Sequence, residues 1–148
     1  MRGVTLIELI IVIAVFSIIA MFIAPSGVAW RASRELERAT ATVLDIFAEA
    51  RERTLQSKNA LQYGVAIDDS DIVLFEGTAY TDGASSNEYH DLGENITAVD
   101  MIEGGATSVY FSRLMGEASA TGTIEISHSI TGASRRITIY ATGLVDEQ

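Results

Sequence analysis

The chain begins with a long apolar stretch that one acidic residue interrupts. Residues 4–24 are apolar apart from Thr5, Glu8 and Ser17. At about 1.5 Å per residue, a helix of this length covers roughly 30 Å, the thickness of the hydrocarbon core of a bilayer. The pattern therefore predicts a transmembrane helix over residues 4–24. Glu8 is unusual there, because a carboxylate at the bilayer centre costs about 2.5–3.5 kcal/mol on insertion scales.

Residues 25–58 continue the helical pattern with a different composition. Pro25 and Gly27 predict a kink or a loosening of the helix that does not end it. Apolar residues then recur at steps of three and four, while charged residues occupy the other positions. Such a stripe predicts an amphipathic helix that packs on one side against the rest of the protein. The stripe consists of Leu36, Ala39, Val43, Ile46, Phe47, Ala50 and Leu55.

After residue 59, the apolar positions recur with the period of two that is typical of β-strands. Alternating or β-branched segments predict strands over residues 61–67, 72–75, 96–102, 108–111, 121–127 and 136–141. The polar segment 77–93 predicts a long loop with one short strand near Tyr89. The fold class is therefore α+β, with a long hydrophobic-then-amphipathic helix packed on a C-terminal antiparallel sheet over residues 59–148.

Composition excludes several classes of function. The net charge is −10 and Lys58 is the only lysine, which argues against nonspecific nucleic-acid binding. The absence of cysteine excludes disulfide scaffolds and thiol catalysis. Two histidines in unrelated local patterns make a His-rich metal site improbable. Ser112 and Ser127 also lack triad partners in a recognisable local motif, so we expect no enzyme activity and no cofactor.

The residues leave three interpretations of the N-terminus open. A secretory signal peptide would have a basic residue and an apolar core, but this core is longer than usual and lacks a clear cleavage site. A plain signal anchor accounts for the length and leaves Glu8 unexplained. The third interpretation depends on a resemblance between the first residues and a processing signal.

Residues 3–9, Gly-Val-Thr-Leu-Ile-Glu-Leu, resemble the processing signal of type IV pilins and type II secretion pseudopilins. The resemblance implies that residues 1–3 are a leader, that a prepilin peptidase cuts between Gly3 and Val4, and that the new amine of Val4 is methylated. It also implies a pilin fold, in which Pro25 stands at a position where pilins commonly carry a proline. Further partners would be other pilin or pseudopilin subunits and an inner-membrane assembly platform.

The same resemblance gives Glu8 a role. Cleavage would create a cationic amine on Val4, and a neighbouring subunit would present Glu8 to it, so that each charge offsets the burial of the other. The expected assembly segment also includes Thr5, Leu6, Leu9 and Pro25. The alternative is that Glu8 lies near the cytoplasmic end of the helix and reaches water.

The rest of the chain is similar to minor pseudopilins of the GspH/FimT type. The similarity lies in Ala50-Arg51 late in the helix, a Phe111-to-Gly116 step, and a Thr142-Gly143 turn after two alternating segments. It implies a low-abundance subunit of a type IV pilus or a type II secretion pseudopilus. The N-terminus would be cytoplasmic, and the β domain would lie outside the inner membrane. The alternative is a membrane-anchored cargo- or DNA-binding domain that does not polymerise.

Two further groups of residues allow more than one interpretation. Asp68, Asp69 and Asp71 offer oxygen ligands to calcium, but Asp-Asp-Ser-Asp between two strands also favours a turn. Arg113, Arg135 and Arg136 could form a small basic patch for DNA, or the arginines could pair across strands with Glu125.

Trp30 follows the apolar segment closely. A tryptophan there is typical of an anchor at the membrane interface, and packing against a neighbouring subunit is the alternative.

Overall fold

A computed structural model describes residues 4–56 and 60–148, without the side chains of residues 21–27. One continuous helix, α1, runs over Leu6–Gln56, and its 51 residues correspond to roughly 77 Å. The helix continues through position 25, so the proline does not end it. Eight strands follow: β1 Tyr63–Asp68, β2 Asp71–Glu76, β3 Glu88–Asp91, β4 Ile96–Ile102, β5 Ser108–Tyr110, β6 Gly122–His128, β7 Ser134–Ile139 and β8 Val145–Glu147.

The strands form two antiparallel sheets rather than the single sheet that the sequence predicts. The first has the order β3-β2-β1-β5 and the second has the order β4-β6-β7-β8. The predicted strand near Tyr89 is confirmed as β3, which pairs with β2. The predicted hairpins β1-β2 and β6-β7 are confirmed as well. The short β8 near the C-terminus was not predicted, because three residues are too few to show a period.

The two sheets are joined at the turn between β1 and β2. Asp68 pairs with Asp71 across this turn, and Asp69 has a positive φ of 33°. The Asp69 carbonyl accepts a hydrogen bond of 2.7 Å from the Ala98 amide of β4. The turn of the first sheet therefore covers part of the edge of the second.

The helix stripe is buried against both sheets. The side chains of Leu36, Ala39, Val43, Phe47 and Ala50 are at most 4% exposed. The Phe47 ring meets the Phe111 ring edge-on, with centroids 6.3 Å apart. This mainly aliphatic core fixes the second half of α1 on the β domain.

One predicted member of the stripe is wrong. Leu55 is 40% exposed, and the neighbouring Thr54 is fully buried in its place. The Thr54 hydroxyl donates to the Ala50 carbonyl at 2.8 Å and accepts from the Tyr63 amide at 2.9 Å. A threonine can occupy this core position because both hydrogen-bonding functions of its hydroxyl are satisfied. The interaction also fixes the start of β1 against the last turn of the helix.

Candidate functional site

A threonine caps the N-terminal end of the helix α1. The Thr5 hydroxyl accepts a hydrogen bond of 3.3 Å from the Glu8 amide, and the Thr5 carbonyl accepts from the amides of Glu8 and Leu9. Thr5 is thus the N-cap of α1, and Glu8 is the third helical residue. The predicted cleavage site between Gly3 and Val4 lies partly outside the described residues, because the description begins at Val4.

The first half of the helix is apolar and uncovered. Every side chain from residue 4 to residue 20 is exposed, including Leu6 at 78% and Phe16 at 68%. Ser17 is the second polar residue of this helical segment, and its hydroxyl donates to the Ile13 carbonyl at 2.8 Å. Glu8 is the acidic residue of the first turn, where a carboxylate opposes the positive end of the helix dipole.

No helical segment among the described residues combines the length and the hydropathy that crossing a membrane requires. The predicted span 4–24 ends in residues whose side chains are outside the description. The span therefore stays a prediction.

An arginine ties the helix to two turns of the β domain. The Arg51 guanidinium donates from Nε to the Gly116 carbonyl at 3.0 Å. Gly143 packs on the same carbonyl so closely that a Cβ at Gly143 would lie 1.9 Å from the Gly116 oxygen. Arg51, Gly116 and Gly143, which the sequence singled out separately, thus meet at one contact that joins the helix to the C-terminal turn.

A buried histidine makes a second contact with the helix, closer to its apolar first half than Arg51 is. His128 is 3% exposed, and its Nε2 lies 3.1 Å from Glu35 Oε2 on the helix. The Ile130 amide donates to His128 Nδ1 at 3.3 Å. Since Nδ1 accepts, the proton resides on Nε2 and is donated to Glu35.

An arginine network connects the end of the helix to β3. Arg53 contacts Glu49, one turn earlier on the helix, at 2.6 Å and Glu88 at 2.5 Å. The Arg53 hydrogen bond holds the pKa of the Glu88 carboxyl below its usual value, and Glu88 in turn raises the pKa of Arg53. Both side chains are one-third exposed or more, so we assign the network a modest contribution to stability.

The predicted calcium ligands form a turn. Asp68 and Asp71 are paired strand ends on either side of Asp69 and Ser70. The described part of the chain contains no cluster of three or more His, Cys, Asp or Glu residues able to hold a metal ion. The turn interpretation is therefore the one that the geometry supports.

The predicted arginine pairing is confirmed for β7. Arg136 lies opposite Glu125 across β6 and β7, with the charged atoms 3.7 Å apart. Arg135 pairs with Glu147 of β8. Carboxylates thus already contact two of the three arginines proposed as a DNA-binding patch.

A tight loop at the end of the domain near Arg51 exposes apolar side chains. The Ser112 carbonyl accepts from the Gly116 amide, and the Ser112 amide donates to the Glu117 carbonyl, which closes the loop. Leu114 at its apex is 88% exposed and has a positive φ of 74°. Met115 beside it is 68% exposed. The sequence analysis missed this surface, because an isolated Leu-Met pair has no periodicity.

We expect Leu114→Gly to keep or raise the stability of the full chain in detergent. Leucine is strained in the left-handed region by about 1–2 kcal/mol, whereas glycine is not, and the exposed side chain contributes little burial. Met115→Gly, at a position without positive φ, should lower stability by about 0.5–1 kcal/mol. Urea titration of both variants measures this. If Leu114→Gly loses more unfolding free energy than Met115→Gly does, the backbone at Leu114 is not strained.

Comparison with known proteins gives one match to the N-terminal segment and one to the fold. Residues 1–24 match the family model described as the prokaryotic N-terminal methylation motif. The chain thus carries this motif at its N-terminal end. Its fold is similar to that of the minor pseudopilin EpsH from the type 2 secretion system of Vibrio cholerae. The TM-score is 0.56 and the identity 14%, over 77% of this chain and 96% of EpsH. No curated protein sequence matches the chain significantly.

The comparisons confirm the predicted fold class, a long N-terminal helix packed on a C-terminal antiparallel β domain. Pilins and pseudopilins are structural rather than catalytic proteins. The functional question for this chain is therefore what covers its exposed helix and what its β domain contacts.

Proposed function

We propose that this chain is a minor pseudopilin-like subunit that is anchored in the inner membrane by residues 4–24 and then assembled into a type IV pilus or a type II secretion pseudopilus. The observation that carries the proposal is the uncovered apolar first half of α1, which begins at a methylation motif. Complete burial of an apolar side chain of this size is worth up to about 1.5–3 kcal/mol. Lipid would cover them in the membrane, and neighbouring helices would cover them in a filament.

Glu8 acts as the register element of this assembly in our proposal. Prepilin peptidase would release the Val4 amine at the start of the helix, and Glu8 of a neighbour would pair with that amine in an environment of low dielectric. Selecting register is the best-attested use of a buried polar pair. Thr5 supports the arrangement by capping the helix, while Leu6 and Leu9 flank the pair with apolar surface.

The other partners follow from the same proposal. The N-terminus would be cytoplasmic, where the peptidase acts, and the β domain would lie outside the membrane. An assembly platform in the inner membrane would move the subunit into a filament of other pilins or pseudopilins. The chain would be a substrate of an enzyme and not an enzyme itself, and it would need no cofactor.

Mass spectrometry of the mature N-terminus tests the proposal. We expect the chain purified from membranes to begin at Val4 with one methyl group on the amine. A Gly3→Leu variant, which keeps the apolar helix but alters the cleavage site, should retain residues 1–3. An intact N-terminus in the wild-type chain, co-expressed with a prepilin peptidase, would contradict processing and with it the assembly role.

The alternative function, an anchored DNA-binding domain, has less support. DNA binding needs cations that are available to phosphates. Arg135 and Arg136 instead contact Glu147 and Glu125 in the β domain. Cargo binding at the Leu114–Met115 loop is compatible with a pseudopilin role and does not require a separate function.

A further inference from the structure

The helix carries a cluster of exposed arginines and a tryptophan directly after the apolar segment. The exposed side chains of this cluster are those of Trp30, Arg31, Arg34 and Arg38. They line one open groove on the helix surface. They lie on the helix face opposite the buried Ala32, Leu36 and Ala39, because the two sets alternate at helical spacing. We call these four residues the basic collar.

The cations of the collar are only partly neutralised within the chain. Arg34 contacts Glu37 at 3.1 Å, and its guanidinium lies 5.6 Å from the centre of the Trp30 ring. Glu35 accepts from His128. Arg31 and Arg38 have no ion pair in the described part of the chain. The three arginines of the collar and the neighbouring Glu35 and Glu37 together carry a net charge of +1, whereas the whole chain carries −10.

We propose that the basic collar binds the headgroups of anionic phospholipids at the outer face of the inner membrane. The inference depends on the proposed function, because it needs residues 4–24 in the bilayer. Trp30 then lies about 9 Å and Arg31 about 10 Å beyond the hydrocarbon boundary at 1.5 Å per residue. Helical side chains point back toward the N-terminus, so the guanidinium groups of Arg31 and Arg34 reach the headgroup layer.

Three observations favour lipid over a neighbouring protein as the occupant. The collar is continuous with the apolar segment, so membrane placement of one brings the other to the lipid surface. Tryptophan is enriched at that depth, where its ring faces the acyl chains and its N–H faces water. Arginine guanidinium groups bind phosphate oxygens in a bidentate manner, and lipid phosphates are the dense anions at this level.

Trp30 itself provides the probe, since it is the only tryptophan of the chain. The full-length protein is reconstituted into phosphatidylcholine vesicles that contain a minor fraction of phosphatidylglycerol. In one sample the phosphatidylglycerol carries brominated acyl chains, and in a matched sample an equal amount of phosphatidylcholine carries them. Bromine quenches tryptophan fluorescence at short range, so the ratio of the two quenching efficiencies measures the enrichment of anionic lipid around Trp30.

We expect about fivefold enrichment of phosphatidylglycerol around the wild-type chain, the factor that one net cation supplies at an anionic surface. The enrichment should fall to about onefold or below in R31Q/R34Q/R38Q, because only Glu35 and Glu37 remain charged there, and to about onefold in 1 M salt, where the Debye length is about 3 Å. The matched control R113Q/R135Q/R136Q removes the same charge elsewhere and should keep the enrichment.

Each other result overturns the inference. Equal quenching by both lipids in the wild type, or unchanged enrichment in R31Q/R34Q/R38Q, would show that the collar does not select anionic lipid. Absence of quenching by either lipid would remove Trp30 from the membrane surface altogether. The proposed function is tested separately by the mature N-terminus, so a methylated Val4 with no lipid selectivity would refute the collar alone.

Discussion

Replacing Glu8 with leucine should leave the chain in the membrane and reduce its incorporation into filaments by more than tenfold. Removing one partner of a buried ion pair costs about 3–5 kcal/mol, because the remaining charge is left unpaired. Each 1.4 kcal/mol corresponds to about a factor of ten in an equilibrium. The variant should nevertheless insert well, since it lacks the roughly 2.5–3.5 kcal/mol cost of a carboxylate in hydrocarbon.

The helix itself should survive this substitution. The hydrogen bonds of the N-cap run from the backbone amides of residues 8 and 9 to Thr5, so none of them uses the Glu8 side chain. Leucine and glutamate also have similar intrinsic helix propensities. A loss of assembly would therefore report the missing carboxylate and not an unfolded N-terminus.

Two controls make the measurement specific. Glu8→Gln keeps the size and polarity of the side chain and removes its charge, so it should fail to assemble in the same way. Ser17→Leu removes the other polar residue of the exposed helix face, whose hydroxyl bonds only within the helix, and should assemble normally. The ratio of filament to membrane fractions, measured by immunoblot, gives the result. Normal assembly of Glu8→Leu would exclude the ion pair with Val4.

The sequence predicted most elements because their periods are simple. Six of the seven predicted strands correspond closely to observed strands, among them the cleanly alternating β6 and β7, and the seventh, near Tyr89, is the short β3. The helix stripe was also correct except at its end. Leu55 was predicted to be buried, but Thr54 is buried instead, because both hydrogen-bonding functions of its hydroxyl are satisfied. Hydropathy alone does not reveal whether such partners are present.

The sequence could not predict how the elements come together. The division into two sheets depends on contacts between distant residues, such as the Ala98 amide with the Asp69 carbonyl. The pairing of Glu35 with His128 spans 93 positions, and no local pattern specifies it. The methylation motif that contains Gly3 and Glu8 could be read from the sequence because it is a local pattern of neighbouring residues.

The contact between Gly143 and Gly116 is the place where the domain should be most sensitive to a small substitution. Gly143→Ala would set a Cβ 1.9 Å from the Gly116 carbonyl oxygen and 3.0 Å from Arg51 Nε. Neither the backbone oxygen nor the paired arginine can move without breaking the tie between helix and β domain. We expect a loss of about 3–5 kcal/mol in the free energy of unfolding, a large part of the stability of a small domain.

Gly132→Ala separates the clash from the backbone conformation. Gly132 has a φ of +67°, close to the +76° of Gly143, but a Cβ there would meet nothing within 4 Å. Both substitutions force alanine into the left-handed region at about 1–2 kcal/mol, and only Gly143→Ala adds the collision. Urea titration of the two full-length variants in detergent should therefore show a difference of about 2 kcal/mol or more. Equal losses would mean that the turns can separate freely and that Arg51 does not hold them to the helix.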